Sequence, residues 1–243
     1  MVILEAFELS KEFVKKNNKI QAVNKASLQL KPGELTSIIG HSGSGKSTLF
    51  HLITGMLRPT SGFVRIDGLS INEAGAQKLS KLRNEKLGYI LQEQNLLKNF
   101  TVLENVCMPR FVGVNGTKKD IYARAEKILE KVGLLAVKAS YPNEISGGEA
   151  RRVSIARALM NDPAIIIADE PTSNLDPENS EAVMKLFRSI SESGVAVLIS
   201  THDMKFLEYS DKVFIMDKGR LEEQVIIESA LHPQTCVTAK LRI

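Results

Sequence analysis

The sequence feature that most constrains the fold is the glycine-rich segment of residues 40–47, which reads Gly-His-Ser-Gly-Ser-Gly-Lys-Ser. It follows a nearly continuous apolar run at residues 35–39 and precedes a helical pattern at residues 48–55. The pattern G-x-x-x-x-G-K-[ST] between a strand and a helix is typical of loops that bind nucleotide phosphates. The alternative is a Gly-Ser turn before a helix, without a ligand. The first interpretation predicts a buried strand that leads into a phosphate-binding loop.

Each residue type in this loop has a physical reason. Glycines let the backbone approach phosphate oxygens, and the N–H groups of the loop and of the helix N-terminus supply a fixed positive potential. Lys46 adds a positive charge, and the hydroxyl of Ser47 is a suitable ligand for Mg²⁺. The residues expected to bind the nucleotide here are Gly40, Ser42, Gly43, Ser44, Gly45, Lys46, Ser47 and Thr48.

Two adjacent carboxylates, Asp169 and Glu170, follow an apolar strand predicted at residues 165–168. In parallel sheets, ligands bind at the carboxyl ends of the strands. We expect Asp169 to hold Mg²⁺ and Glu170 to act as the general base that polarises an attacking water. The alternative is a pair of acidic residues that cap a strand at a solvated edge.

The order of the predicted elements indicates one α/β domain with a helical insertion. Strands and helices alternate in residues 1–91 and 160–230, which predicts a parallel sheet covered by helices. The first two strands are expected at residues 3–9 and 23–30. Residues 92–159 show only the helical period, at residues 102–108 and 119–132. Two strands, at residues 213–216 and 221–227, are expected to form a closing hairpin. The remaining tail, residues 228–243, has no clear period and no assigned role.

Composition narrows the partners and the location of the chain. Its 243 residues carry a formal net charge of +4 and are 43% hydrophobic, which fits a globular protein without the clustered basic excess of a nucleic-acid binder. We therefore expect no nucleic-acid partner. No apolar run reaches the roughly 18 to 20 residues that span a bilayer, and the N-terminus lacks the pattern of a signal peptide. These features predict a cytoplasmic location.

A third segment gives the chain a family resemblance. Residues 145–149 read Ile-Ser-Gly-Gly-Glu, and with the Arg-Arg-Val-Ser-Ile-Ala-Arg-Ala-Leu of residues 151–159 they closely resemble the signature of ATP-binding cassette (ABC) proteins. Ser146 follows Lys46 by 100 positions and Asp169 follows Ser146 by 23, a spacing typical of the transporter ATPases. The resemblance implies an α/β fold of the P-loop NTPase class. Its parts would be a mixed, mainly parallel sheet core, an N-terminal antiparallel β subdomain and an inserted α-helical subdomain.

The resemblance also implies a head-to-tail dimer of two copies around two ATP molecules with Mg²⁺. The signature residues Ser146, Gly147 and Gly148 would donate hydrogen bonds to the γ-phosphate that the other copy's phosphate loop holds. Asp176 would brace that opposing loop across the dimer interface. Taken alone, the Ser-Gly-Gly segment could be an ordinary helix-capping turn.

Three further positions match motifs of the family. Gln92 resembles the loop glutamine that contacts Mg²⁺ and water and senses a permease, although alone it would be a surface glutamine. His202 resembles the switch histidine that contacts the γ-phosphate and orients Glu170, although a histidine beside Asp203 would otherwise more often cap the next helix. Phe13 is the candidate for stacking on adenine, because stacking needs only an aromatic face. The alternative is a Phe13 that packs inside the protein beside a solvated basic turn.

The chain departs from the usual motifs at Ile145, where leucine is usual, at Glu149, where glutamine is usual, and at Ser173, where its subfamily usually has glycine. Glu149, residues 95–106 and residues 169–176 are similar to the lipoprotein-release, macrolide-export and cell-division ATPases. We therefore expect an ATPase subunit at the inner face of the cell membrane that drives a separate permease, contacted near residues 92–106, in export or lipoprotein release. The alternative is mechanotransmission, in which ATP-driven motion acts on envelope or cell-division proteins without moving a substrate.

Overall fold

The chain forms two β-sheets surrounded by helices, and the computed structural model describes residues 1–15, 18–93, 95–112 and 117–224. The strands are β1 (Leu4–Lys15), β2 (Asn18–Leu30), β3 (Leu35–Ile39), β4 (Ser61–Ile66), β5 (Leu69–Ser70), β6 (Leu87–Ile90), β7 (Ile165–Ala168), β8 (Ala196–Thr201), β9 (Lys212–Asp217) and β10 (Arg220–Gln224). The helices are α1 (Lys46–Ile53), α2 (Ala76–Lys86), α3 (Val102–Phe111), α4 (Lys118–Lys131), α5 (Gly147–Leu159) and α6 (Pro177–Glu192), with short 3₁₀ turns at Leu135–Val137 and Met204–Tyr209.

The larger sheet has the order β10-β9-β3-β8-β7-β6, and all of its pairs are parallel except β10 with β9. Strands β3, β7 and β8 are buried along their whole length. Strands covered on both faces are mostly apolar, which is why their sequences do not alternate regularly between apolar and polar residues. The buried polar residues of β3 and β8 are Thr36, Ser37, Ser200 and Thr201. The smaller sheet is antiparallel, in the order β2-β1-β4-β5. The predicted fold class is confirmed.

The first hairpin extends beyond its predicted ends. Its strands were expected at residues 3–9 and 23–30, but β1 continues to Lys15 and β2 begins at Asn18. In this extension Phe13 pairs with Ile20, and most side chains that the structure describes are exposed. Hydrophobic periodicity marks only strands with one buried face, so the extension left no signal in the sequence.

The closing hairpin has a second role that the sequence pattern did not predict. Its first strand, β9, also pairs in parallel with β3 and so belongs to the main sheet, with Ile38 opposite Phe214. Its second strand, β10, is described as far as Gln224. The rest of the predicted strand at 221–227 and the whole tail at 228–243 lie outside the described residues.

Helices α3, α4 and α5 pack around a hydrophobic cluster of their own. Val106 and Cys107 of α3, Leu129 of α4 and Val153 of α5 are all fully buried in this cluster. The helical period at residues 102–108 and 119–132 therefore predicted the right elements. In the part of the chain that the structure describes, no helix combines the length and the apolar character needed to cross a membrane.

Candidate functional site

The predicted phosphate loop lies between β3 and α1, and two of its glycines are required by close packing. A Cβ on Gly40 would lie 2.3 Å from the carbonyl oxygen of Met216, and one on Gly45 would lie 2.3 Å from that of Ala22. Gly45 also has a φ of 110°, in the left-handed region that favours glycine. The loop backbone is therefore pressed against β9 and β2, and larger residues at these two positions would displace it.

The other loop residues differ in their exposure. Ser42 and Gly43 are exposed, Ser44 is buried, and Ser47 and Thr48 lie in the first turn of α1 with Ser47 exposed. Lys46 is only 5% exposed. Its Nζ donates hydrogen bonds to the carbonyl oxygens of Gly40 at 2.7 Å and His41 at 3.1 Å. The loop thus curls around the ammonium group of its own lysine.

The carboxylates that follow β7 are held by a serine that the sequence reasoning missed. The Ser200 hydroxyl on β8 donates to Asp169 Oδ1 at 2.6 Å and accepts from the backbone N–H of Glu170 at 2.8 Å. Glu170 has a φ of 45°, an uncommon backbone conformation for a non-glycine residue that concentrates at functional sites. The signal that could have found Ser200 is its place at the carboxyl end of a parallel strand next to β7.

Three other predicted site residues, Gln92, His202 and Lys46, surround Glu170. Gln92 Nε2 donates to Glu170 Oε2 at 3.0 Å, and His202 Nδ1 lies 3.7 Å from the same oxygen. Lys46 Nζ lies 3.7 Å from Glu170 Oε1. Glu170, Gln92 and His202 also line a cleft of about 720 Å³ together with Ser173. The fold therefore brings together residues that are up to 156 positions apart in the chain.

Asp176 lies at the N-terminus of α6, where it caps the helix of its own chain. Its carboxylate accepts from the backbone N–H of Asn179 at 2.9 Å and from the side-chain Nδ2 of Asn179 at 2.6 Å. These bonds hold the pKa of Asp176 below its ordinary value. The same Asn179 packs against the signature, because a Cβ on Gly148 would lie 2.2 Å from its Oδ1. Within one chain, the absence of a side chain at Gly148 therefore leaves the space that Asn179 occupies.

Ser146 caps helix α5, as in the simpler of the two interpretations of the signature. Its Oγ accepts from the backbone N–H of Glu149, and its own N–H and hydroxyl both donate to Glu149 Oε2 at 2.8 Å. The Ser146 N–H and, after it, the Ser146 hydroxyl lower the pKa of Glu149. This is a capping box, whose pattern S-x-x-E is visible in the sequence. Ser146 is therefore the N-cap of α5, which begins at Gly147. A helix N-terminus of this kind can also bind a phosphate.

Phe13 is 41% exposed, and Lys11 Nζ lies 5.4 Å from the centre of its ring. The interpretation in which Phe13 packs inside the protein is therefore wrong. Part of the basic turn beside it, including Lys16, lies outside the described residues. Stacking of Phe13 on adenine stays a prediction.

The capping box leads to a stability prediction. Glu149→Ala should lower the free energy of unfolding by about 1 kcal/mol, because the Ser146 N–H and hydroxyl lose their acceptor. Glu149→Gln is the matched control, since its amide oxygen can accept the same two bonds. Urea unfolding at pH 7 measures both. The folded-state pKa of Glu149 is lowered, so its contribution is present above the unfolded-state pKa and is lost as the pH falls. Equal stability of wild type and Glu149→Ala at pH 7 would contradict the prediction.

Comparisons with known proteins give one family. Residues 23–173 match the ABC transporter family. The chain is 43% identical over 224 residues to the lipoprotein-releasing system ATP-binding protein LolD of Buchnera aphidicola. The aligned residues make up 90% of this chain and 96% of that protein. It is 41% identical over 241 residues to the methionine import ATP-binding protein MetN of Carboxydothermus hydrogenoformans. Here the aligned residues make up 98% of this chain and 70% of that protein.

Solved structures give the same result. A dimeric bacterial ABC transporter cassette matches with a TM-score of 0.86 and 34% identity, over 92% of this chain and 99% of that one. A second structure of the same cassette, a dimer in a post-hydrolysis state bound to ADP and Pi, matches with a TM-score of 0.85, also at 34% identity, with the same coverage of both chains. The chain therefore belongs to the ABC transporter family as an ATP-binding and ATP-hydrolysing cassette.

Proposed function

We propose that the chain hydrolyses ATP with Glu170 as the general base, in a head-to-tail dimer that drives a separate membrane permease. The assignment of Glu170 as the general base rests on the cluster of side chains around it. Gln92 and His202 approach one carboxylate oxygen and Lys46 approaches the other. In this role Glu170 accepts the proton of the attacking water, Gln92 and His202 orient the carboxylate, and Lys46 contacts the phosphates.

The residues present fit Mg²⁺ beside the phosphates. Asp169 is buried, and among the residues that the structure describes no lysine, arginine or histidine forms an ion pair with it. A buried carboxylate without a cation is costly, and Mg²⁺ is usually held by one or two carboxylates together with substrate phosphates. We assign Asp169, with Ser47 and Gln92, to the ion. When bound, Mg²⁺ neutralises charge that develops on the phosphates.

A head-to-tail dimer would bring the phosphate loop of one copy, residues 40–47, to the signature of the other, residues 145–149. The N-terminus of α5, with Ser146, Gly147 and Gly148, is a favourable site for an anion because its backbone N–H groups and dipole point outward. In the proposal this helix end contacts the γ-phosphate of the partner copy, and Asp176 braces the partner's loop. Two structures of one similar cassette, both dimeric, support it. Phe13, on the exposed face of β1, is assigned to adenine.

We propose that the permease docks on residues 92–106, where two large apolar side chains, Leu97 and Phe100, are exposed. The segment around them is held by Asn105, which is fully buried. Asn105 accepts from the N–H of Leu97 at 2.7 Å and donates to the carbonyl oxygens of Leu97, Phe100 and Thr101 at 3.0–3.1 Å. A rigid loop that presents apolar groups is suited to binding a partner, since little conformational entropy is lost. The chain would then lie at the inner face of the membrane.

The transport direction is proposed from the signature. Glu149 and the run at residues 95–106 favour the lipoprotein-release and export type, represented by LolD, over the import type represented by MetN. The alternative is mechanotransmission on envelope or cell-division proteins, without a transported substrate. Copurification of the membrane partner and reconstitution in vesicles separates the two. Substrate movement upon addition of ATP supports transport, and ATP hydrolysis stimulated by the partner without movement supports mechanotransmission.

The docking surface gives a prediction for the same preparation. The double variant Leu97→Asp with Phe100→Asp should lose the permease in copurification by tenfold or more, because two charges would enter an apolar contact. Leu69→Asp, at an exposed leucine of β5, is the control and should still copurify. Circular dichroism checks the fold of each variant. Retention of the permease by the double variant would contradict the proposed surface.

A further inference from the structure

Arg151 is a buried cation in helix α5 that the proposed chemistry does not use. It is 1% exposed and is among the largest fully buried side chains of the protein. Its Nη1 donates to the carbonyl oxygen of Leu91 and its Nη2 to that of Gln92, both at 2.8 Å. Within the described residues it has no carboxylate partner, and its Nε is buried without a hydrogen bond. Two backbone carbonyls thus accept the hydrogen bonds of this guanidinium, one from each terminal nitrogen.

A buried guanidinium without a carboxylate lowers the stability of the fold unless its hydrogen bonds are well aligned. Burial of a charge is strongly destabilising when the charge is poorly compensated. The guanidinium is planar and presents its donors in a fixed fork, so it can bind two successive carbonyls at once. A lysine has one ammonium on a flexible stem and cannot reproduce this fork. The fork therefore fixes the backbone of residues 91 and 92 relative to α5.

The bonds of Arg151 are part of a continuous set along the end of β6. The carbonyl oxygen of Ile90 accepts from the backbone N–H of Asp169 at 2.9 Å. The next two carbonyls are those held by Arg151, and further along Arg157 of α5 donates to the carbonyl oxygen of Asn95 at 2.7 Å. Helix α5 therefore holds the loop on both sides of Gln92, next to the strand that carries the carboxylates.

The held backbone carries the side chain that contacts the catalytic carboxylate. Gln92 Nε2 donates to Glu170 Oε2 at 3.0 Å, while the Gln92 carbonyl is held by Arg151. We infer that Arg151 is a positioning residue, which keeps the Gln92 amide on Glu170 and joins the loop of Gln92 to the helix that begins at Ser146. The inference rests on the proposed roles of Gln92 and Glu170. Because Ser146 and Arg151 lie on one short helix, a displacement of the signature is transmitted to Gln92.

The test is a double-mutant cycle between Arg151 and Gln92, measured by the ATPase rate of the full chain. Arg151→Met keeps the length of the side chain and removes all donors, and Arg151→Lys keeps the charge and can reach one carbonyl. We expect Arg151→Met to lower kcat about tenfold, since small displacements of a positioned group have effects of this size or larger. The Kd for ATP should change less than twofold, and Arg151→Lys should lie between Met and wild type.

In the Gln92→Ala background, Arg151→Met should change kcat less than twofold, because the group that it positions is already absent. Arg124→Met is the matched control. Arg124 Nε also donates to a backbone carbonyl, that of Met160 at 2.8 Å, but not at the loop of Gln92. Its effect should be small and equal in both backgrounds. If Arg151→Met does not fold, the comparison of Arg151→Lys in the two backgrounds decides the question.

Two results would overturn the inference. One is an unchanged kcat in both Arg151 variants, and the other is an equal loss of kcat in the wild-type and Gln92→Ala backgrounds, which a purely structural role would produce. A wild-type rate in Gln92→Ala alone would instead contradict the proposed role of Gln92, and the inference would fail with it. The two failures are therefore distinguishable.

Discussion

Glu170→Gln should still bind ATP, lose roughly 100- to 10,000-fold in turnover, and accumulate as an ATP-bound dimer. Glutamine has nearly the same size and can still accept the hydrogen bond that Gln92 Nε2 makes at 3.0 Å. It cannot accept a proton from water at neutral pH, so the proposed chemical step loses its base. The phosphate contacts are not removed, and for this reason binding and dimerisation should persist.

Three measurements decide this prediction. Phosphate release gives the turnover, calorimetry gives the ATP affinity, and light scattering during gel filtration gives the mass with and without Mg-ATP. Glu208→Gln is the control, because Glu208 is exposed and lines the same cleft. The groups that pair with Glu170 are Lys46, His202 and Gln92, and not Glu208. Full hydrolysis by Glu170→Gln would exclude Glu170 as the base.

Much of the fold could be predicted because its signals are local. Strands β3, β7 and β8 are buried on both faces and therefore read as apolar runs. Helix α4 carries Ile121, Ala125, Ile128 and Leu129 on one face, and all four are buried. The phosphate loop and the carboxylates were also found from short patterns that include the neighbouring strand. These features depend on residues within a few positions of one another.

The residues that were missed depend on contacts between distant parts of the chain. Ser200 is 31 positions from the Asp169 that it binds, and Arg151 is 60 positions from Leu91. A serine in a strand or an arginine in a helix carries no local signal of such a partner. Asn105 differs, since its partners lie within eight positions, but in the sequence a buried asparagine of a helix resembles an ordinary polar residue. The strand order must be known before these side chains can be placed.

The capping box, in contrast, has a signal within four residues of the sequence. The same Ser-Gly-Gly-Glu segment can be a helix cap and a phosphate-binding signature. Ser146 and Glu149 are three positions apart, and their reciprocal bonds could have been predicted from S-x-x-E. From the family resemblance alone, Glu149 is only a departure from the usual glutamine. The structure gives this glutamate a definite role at the start of α5, whatever the dimer does with Ser146.

Lys46→Ala should weaken ATP binding roughly ten- to hundredfold, measured by calorimetry with Mg-ATP. Hydrogen bonds to a charged group are worth about 1.5–3 kcal/mol, and each 1.4 kcal/mol is about tenfold in Kd. Lys46 Nζ is the donor that the carbonyl oxygens of Gly40 and His41 share, and it lies 3.7 Å from Glu170 Oε1. Alanine leaves two carbonyl dipoles and a carboxylate without this cation, so the potential becomes more negative where an anionic ligand must bind.

The matched control is Lys212→Ala. Lys212 is partly buried and pairs with Glu34 at 2.8 Å, so its loss removes a lysine ion pair away from the loop. Its ATP affinity should stay within twofold of the wild type. Unchanged affinity in Lys46→Ala would overturn the assignment of the loop to phosphate. A loss in Lys46→Ala alone would show that the position of the charge, and not the net charge of the chain, determines binding, because the two variants have the same formal charge.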